Sequence, residues 1–291
     1  MVGLFCGYQV SNIIFHFGLM EYFCFYMKRN ITGLLLLSVV VLSTGSCGLN
    51  STDKNAAATD TLQYVQQEKM LSYTNCVPDS SSSCTYIHFS YPGFTGLTPP
   101  LQDSVSEMLT QIFTDGEGNI NDADSLQQKF IQEYSAFVAE QKDYSTPWYI
   151  NKNVNVLLQN KRWITFSYSH SSFTGGAHGM QEQHYILLDR NTGKRLKLFD
   201  FFDSTAIYKL TALADPLFRS EKLIAPSQTY EEAGYWFKDE HFYLNNNFYI
   251  HKDGITFCYN PYEVSSYANG STVITIPAAK IGKLVRKEWM Q

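Results

Sequence analysis

A chain of 291 residues can hold one large domain or two small ones, and an apolar share of 44% is enough for a sizeable core. The 22 basic and 27 acidic side chains give a formal charge of −5, which offers phosphate backbones and anionic lipid no general attraction, so no nucleic-acid partner is expected. Aromatic residues make up 15%, including 20 Tyr and 20 Phe; they suit strands, and also surfaces that contact sugars or proteins.

The first 46 residues read as addressing. Met27-Lys28-Arg29-Asn30 precedes an uncharged run from Ile31 to Leu42, and Ser43-Thr44-Gly45-Ser46-Cys47 follows. A basic start, a short apolar run and small residues before a cleavage point make a signal peptide over 27–46. The run falls short of the about 20 residues that span a bilayer. Cys47 after Thr-Gly-Ser resembles the lipobox of bacterial lipoproteins, with Thr44 where Leu is commonest, and this resemblance implies lipidation at Cys47. The chain would then be held to the membrane through its lipid anchor, outside the cytoplasm, on the periplasmic or outer-membrane face of a Gram-negative bacterium. Residues 1–26 are apolar and aromatic-rich upstream of a complete signal, which suggests that translation starts at Met27. The stretch 47–60 is Asn, Ser, Thr and Ala with little that is apolar, a flexible tether.

Beyond the tether, 61–145 is expected to form an N-terminal α/β subdomain and 146–291 a C-terminal α+β domain. Cys76 and Cys84 enclose a Pro/Asp/Ser turn before a strand over Thr85–Tyr91 that Pro92-Gly93 closes. In an oxidising compartment these two thiols predict a disulfide closing the loop. Cys258 reads as a buried, unreactive thiol in a strand. Helical spacing of Leu101, Val105, Met108, Ile112 and Phe113 follows Pro99-Pro100, and Leu126, Phe130, Tyr134 and Phe137 mark a second helix from about Ser125.

After Pro147 the pattern changes to strands at Tyr149–Leu158, Arg162–His170 and Gln181–Asp189, an antiparallel meander whose last member ends at the turn Arg190-Asn191-Thr192-Gly193. A helix over Ser204–Phe218, strands at Phe242–His251, Ile255–Tyr259 and Thr272–Ile276, and a helix over Pro277–Trp289 complete the chain. The fold class is α+β: antiparallel sheets with helices packed on one side, in two subdomains.

Gly175-Gly176 before a strand supplies backbone freedom for a tight connection, and His178 follows. His178 and His184 are an even number of residues apart and would share a strand face; with His170 nearby they raise a metal site, but a hydrogen-bonded structural histidine explains them better, so no metal or other cofactor is expected. Asn260-Pro-Tyr-Glu263 caps a strand with a turn, and Tyr267 with Asn269-Gly270 makes the return. Glu263 has no partner carboxylate at matched spacing and reads as a backbone cap.

Three stretches together carry a resemblance: Phe173-Thr-Gly-Gly-Ala-His-Gly179, Phe248–Tyr259 running into Asn260-Pro-Tyr-Glu-Val-Ser-Ser-Tyr-Ala-Asn-Gly270, and Val273-Ile-Thr-Ile-Pro277. They resemble the extracytoplasmic module at the C-terminal end of a lysozyme-sensing anti-sigma factor, found also beside the catalytic domain of some peptidoglycan deacetylases. The resemblance spans nearly all of the chain after the tether. It lacks a sigma-binding segment, a transmembrane helix after the signal and a deacetylase domain. It implies recognition in the cell envelope, of a lysozyme-like protein or of peptidoglycan, through Thr174, Gly175, Gly176, His178, Tyr262, Glu263 and Tyr267.

Catalysis stays open from sequence. Ser167, Ser169, Ser171 and Ser172 crowd His170, yet there is no Gly-x-Ser-x-Gly elbow, no phosphate loop, no dinucleotide fingerprint and no His-Glu-x-x-His helix. The favoured reading is a non-catalytic binding module. The alternative is a cell-wall glycan hydrolase or deacetylase using His178 and a carboxylate such as Glu263 or Asp189.

Overall fold

The computed structural model describes residues 61–78, 83–114 and 122–289. Cys47, the leader and the tether lie outside the described residues. Mixed α and β elements build two sheets. The first has six strands in chain order: β1 (Tyr64–Ser72), β2 (Tyr86–Phe94), β3 (Tyr149–Gln159), β4 (Trp163–Phe173), β5 (Met180–Asp189) and β6 (Arg195–Leu196). Its pairs are antiparallel except β2 with β3, which run parallel. A parallel pair needs a long crossover, and α1 (Pro99–Phe113) and α2 (Ala123–Glu140) supply it.

Those helices form where apolar spacing and end signals agree. Prolines open α1, whose Leu101, Val105, Met108, Ile112 and Phe113 turn inward. Asp122 caps α2, its carboxylate accepting from the Ser125 amide at 2.8 Å. Both helices lie on one face of the sheet, over Ile87, Phe89, Val154, Ile164, Phe166, Ile186 and Leu188. Full burial of a side chain such as Phe89 or Phe166 contributes about 1.5–3 kcal/mol. Cys76 and Cys84 form a disulfide, with 5.7 Å between their Cα atoms, which joins the start of β2 to the short 3-10 turn after β1.

The second sheet is antiparallel, β7 (Phe248–His251), β8 (Gly254–Tyr259) and β9 (Thr272–Pro277). A short helix, α3 (Leu198–Phe201), the long α4 (Ser204–Glu221) and α5 (Ala278–Ile281) complete the fold. Ala206, Leu210, Ala214 and Phe218 of α4 pack in one core with Phe257, Tyr259, Ile274 and Ile276, and this core also takes in Trp163 and Leu187 of the first sheet. Cys258 is buried with its thiol free.

Asparagine side chains join the two sheets. The outer edge of β5 is paired by β6 only at Leu187 and Leu188, leaving the backbone of Gln183 and Tyr185 without strand partners. Asn260 accepts from the Gln183 amide at 2.8 Å and donates to the Gln183 carbonyl at 3.0 Å. Asn247 accepts from the Tyr185 amide at 2.8 Å and donates to the Gln183 carbonyl at 2.7 Å. Each carboxamide copies the donor and acceptor of a missing neighbouring strand.

Three elements depart from the sequence reading. The strand expected from Phe242 starts only at Phe248, because Asn245–Asn247 direct their side chains to backbone groups. β2 continues through Pro92 and Gly93 to Phe94; pairing with β3 stops at Ser90, so Pro92 has β1 alone beside it. The helix expected over Pro277–Trp289 is one turn, Ala278–Ile281, then a turn and a 3-10 segment, Lys287–Trp289. The Arg286 amide donates to the Phe201 carbonyl at 2.9 Å, and the Trp289 ring packs on Phe201 and Trp163. Among the described residues, no helix is long and apolar enough to cross a membrane.

Candidate functional site

One candidate surface gathers at the turn between β4 and β5. Thr174 is exposed at the end of β4. Gly175 and Gly176 take φ values of 92° and 98°, a region open to glycine, and a Cβ on Gly175 would sit 3.2 Å from the Tyr144 hydroxyl. This tight turn presents His178 to the loop that follows β8. The imidazole stacks on Tyr267 with 3.8 Å between centroids and 11° between planes. His178 Nδ1 lies 2.8 Å from the Gly179 carbonyl oxygen, which can only accept, so Nδ1 carries the proton. The Nε2 atom lies 3.3 Å from the Tyr262 hydroxyl, which can serve as donor or acceptor to it.

Tyr262 completes the cluster in an unusual conformation. Its φ is +66°, in the left-handed region that costs a non-glycine residue about 1–3 kcal/mol, and the residue is 50% exposed. The Tyr262 amide is held by the Ser265 carbonyl at 3.1 Å. Behind the turn, Tyr86, Tyr149 and Phe173 stack across β2, β3 and β4, with centroids 6.1 and 6.4 Å apart. They share a sheet face with Asn151, Asn153, Ser169 and Ser171, opposite to the face that α1 and α2 cover. A polar sheet face edged by aromatic rings offers hydrogen bonds and stacking together.

Glu263 is adjacent in sequence but turned elsewhere. Its carboxylate accepts from the Asn245 side chain at 2.7 Å and from the Asn260 amide at 2.9 Å, so it braces the asparagine junction. Asp189 accepts from the Asn191 and Thr192 amides and closes the turn to β6. Among the described residues, neither carboxylate is hydrogen-bonded to His178.

His170 and His184 form a separate cluster. His178 precedes β5, which begins at Met180, so the even spacing that would align His178 with His184 on one strand does not apply. Instead His170 Nδ1 and His184 Nε2 flank Glu182 at 3.7 and 3.5 Å. Hydrogen bonds from His170 and then His184 hold the Glu182 carboxyl well below the usual carboxylate range. Tyr168, paired across the strands with His184, lies near-parallel to both imidazoles, and burial, with the Glu182 charge, pushes its hydroxyl pKa up. Ser169 and Ser171 point to the opposite face from His170, and no group of three metal-ligating side chains has metal-binding geometry among the described residues.

Next to this cluster, a cleft of about 700 Å³ opens between α1 and the β5–β6 turn, lined by Lys152, Tyr168, His184 and Arg195 among others. His184 and Arg195 also border a smaller hollow of about 320 Å³ that contains Asn245, Asn260 and Glu263. Sequence reading passed over Lys152, Tyr168, Glu182 and Arg195. The signal was present only in strand register: Tyr168 and His170 two residues apart on one strand face Glu182 and His184 two apart on the next.

Comparison with known proteins bears on both halves. Residues 79–181 match the family model described as Deacetylase PdaC, and residues 200–279 match that of a protein family of unknown function, DUF3298. No curated protein matches the chain. A crystal structure of a DUF3298 family member from Bacteroides fragilis superposes with a TM-score of 0.57 at 23% identity, covering 78% of this chain and 94% of that one. One from Pseudomonas aeruginosa gives 0.55 at 15% identity, covering 79% and 97%. At these identities the likeness is one of fold, and with the two matched segments it makes the chain similar to PdaC-like and DUF3298 modules joined in that order.

Proposed function

We propose that this protein is a non-catalytic module of the cell envelope, lipid-anchored outside the cytoplasm through Cys47, that binds peptidoglycan glycan through the surface around Tyr262. The observation that carries the reading is Tyr262 itself: a half-exposed residue held at φ +66° beside the stacked His178 and Tyr267. Strain of this kind persists where the surroundings over-determine it, and it clusters at ligand sites. Aromatic faces stack on sugar rings, while the Asn and Ser side chains of the adjoining sheet face supply hydrogen bonds to hydroxyl and acetamido groups. The model matched over 79–181 is described as Deacetylase PdaC, and acetylated sugars are one class of molecule on which a deacetylase can act.

The test is calorimetric titration of the purified protein with soluble peptidoglycan fragments and, separately, with lysozyme. Saturable heat with the fragments, weakened about tenfold or more by Tyr262→Ala with the fold unchanged, is the expected outcome. Binding of lysozyme alone would replace glycan with a protein ligand at this surface, and heat from neither would refute the proposal.

The deacetylase name favours one second reading, a glycan hydrolase or deacetylase in which His178 works with a carboxylate. Glu263 and Asp189 are engaged by backbone and amide donors, so this reading requires a rearrangement of one of them toward His178. Release of acetate or of reducing ends from peptidoglycan, lost in His178→Ala, would establish it.

A further inference from the structure

The cleft beside α1 is a different kind of place from the Tyr262 surface. Its volume of about 700 Å³ is that of a small-molecule site. Met108 and Ile112 of α1 and Ile186 and Leu188 of β5 give it an apolar floor. At the edge of that floor stands Lys152, in the row of β3 side chains that faces the helices, paired in register with Phe89 and His170. Its ammonium donates to the Ile112 carbonyl at 2.6 Å and has no carboxylate partner among the described residues. Burial pushes its pKa below the ordinary lysine value. An ammonium taken out of water is normally compensated by an anion, and here a single neutral oxygen does that work.

The rest of the rim has the same sign. Arg195 is exposed and has no ion-pair partner among the described residues; Lys194 is engaged by Asp200 and His184 by Glu182. Among the described residues, Glu107 is the one acidic residue in the lining, and it accepts from Gln111 on its own helix. Among the described residues, the charges that remain uncommitted are thus the Lys152 ammonium at the floor and the Arg195 guanidinium at the rim.

We infer that this cleft binds a small organic anion, its oxyanion head drawn to Lys152 and Arg195 and its short apolar body laid on Met108, Ile112 and Ile186. The head is a carboxylate or a phosphate, the two oxyanions that ammonium and guanidinium groups recognise, and a guanidinium pairs with either in bidentate fashion. The site is independent of the peptidoglycan surface at Tyr262. The bound anion supplies the counter-charge that Lys152 lacks among the described residues, so binding holds the ammonium protonated, and affinity falls as pH rises through the lysine's lowered pKa.

The test titrates the full protein with hexanoate, hexyl phosphate, inorganic phosphate and, as the uncharged control, hexanol, following heat and the methyl resonances of Ile112 and Ile186. Saturable binding of hexanoate or hexyl phosphate, at least about tenfold tighter than hexanol, is expected, and the tighter of the two identifies the head group. Inorganic phosphate, with no apolar body, should bind more weakly than hexyl phosphate. Lys152→Met keeps the length of the side chain and removes its charge, and should bring the anions to the level of hexanol. Arg195→Ala, on the exposed rim, should weaken the anions alone and provides the test if the Lys152 variant fails to fold. Tyr262→Ala should change nothing here, which separates this site from the glycan surface. Equal binding of hexanol and the anions, undiminished anion binding in folded Lys152→Met, or no binding by any probe would overturn the inference.

Discussion

Asn260→Ala tests how the two sheets are held together. The buried carboxamide makes two hydrogen bonds to one residue of β5, accepting from the Gln183 amide and donating to the Gln183 carbonyl. Truncation leaves the amide with no acceptor, whereas the carbonyl keeps its bond from Asn247 at 2.7 Å. An orphaned, part-buried N–H costs about 1–3 kcal/mol and the second bond about 1 kcal/mol, so the loss in unfolding free energy should be about 2–4 kcal/mol. Asn260→Asp should cost as much, since it keeps the acceptor and sets a carboxylate against the carbonyl. Adding Asn247→Ala removes the last partner of that carbonyl, so the double variant should lose about 0.5–2 kcal/mol more than the sum of the singles. Urea unfolding followed by tryptophan fluorescence gives the energies, and native-state amide exchange gives the location. Exchange should speed up at Gln183 in the first variant and at Tyr185 in Asn247→Ala. A change below about 0.5 kcal/mol with Gln183 protection intact would refute the reasoning.

Three further outcomes are expected. Replacing Cys76 and Cys84 by serine opens a loop of sequence separation 8 and should cost about 2.5 kcal/mol on the chain-entropy estimate; equal urea midpoints with and without the bond would count against it. Glu182 has a folded pKa depressed by His170 and His184, so its contribution is present above the unfolded carboxylate value of about 4.3 and is lost as pH falls toward the folded value. The stability difference between the protein and Glu182→Gln should therefore shrink as pH falls below about 5, and a difference that grew on acidification would reverse the assignment. The Cys258 thiol, pushed up to about 11 chiefly by burial, should resist alkylation at pH 8 until urea unfolds the protein; labelling at the rate of a free thiol in the native state would show that the strand opens.

Where the pattern was local, the sequence was legible. The α+β class, both long helices before Pro147, the meander and α4 follow from apolar spacing, prolines and one clear turn, and each is present. Local pattern misled where a long-range contact outweighed it. Ile281, Leu284, Val285 and Trp289 have helical spacing, but the chain leaves the helix after Ile281 so that Trp289 can reach Phe201 and Trp163, with Arg162 over its indole ring at 4.3 Å. The run from Phe242 has strand composition, and three consecutive asparagines interrupt it because their carboxamides serve the backbone of other segments better than a ladder would.

The site divides along the same line. The glycine turn and the Asn-Pro-Tyr-Glu turn were each visible as turns, and His178 and Tyr262, 84 residues apart, meet because Asn260, at the head of the second turn, is hydrogen-bonded to Gln183 of β5, the strand that the first turn leads into. Glu263 shares the second turn yet faces the asparagine junction, since at φ +66° Tyr262 directs its own ring outward while the next side chain folds back to cap Asn260. The cleft was out of reach for a different reason. Lys152 in a strand reads as a solvated edge residue, and only the pairing of β3 with β2 on one side and β4 on the other turns it toward α1, where its charge is half-buried beside an apolar floor. A lone lysine in an alternating strand therefore carries information only through its register: on the solvent face it is ordinary, and on the helix-covered face it is a charge that calls for a partner.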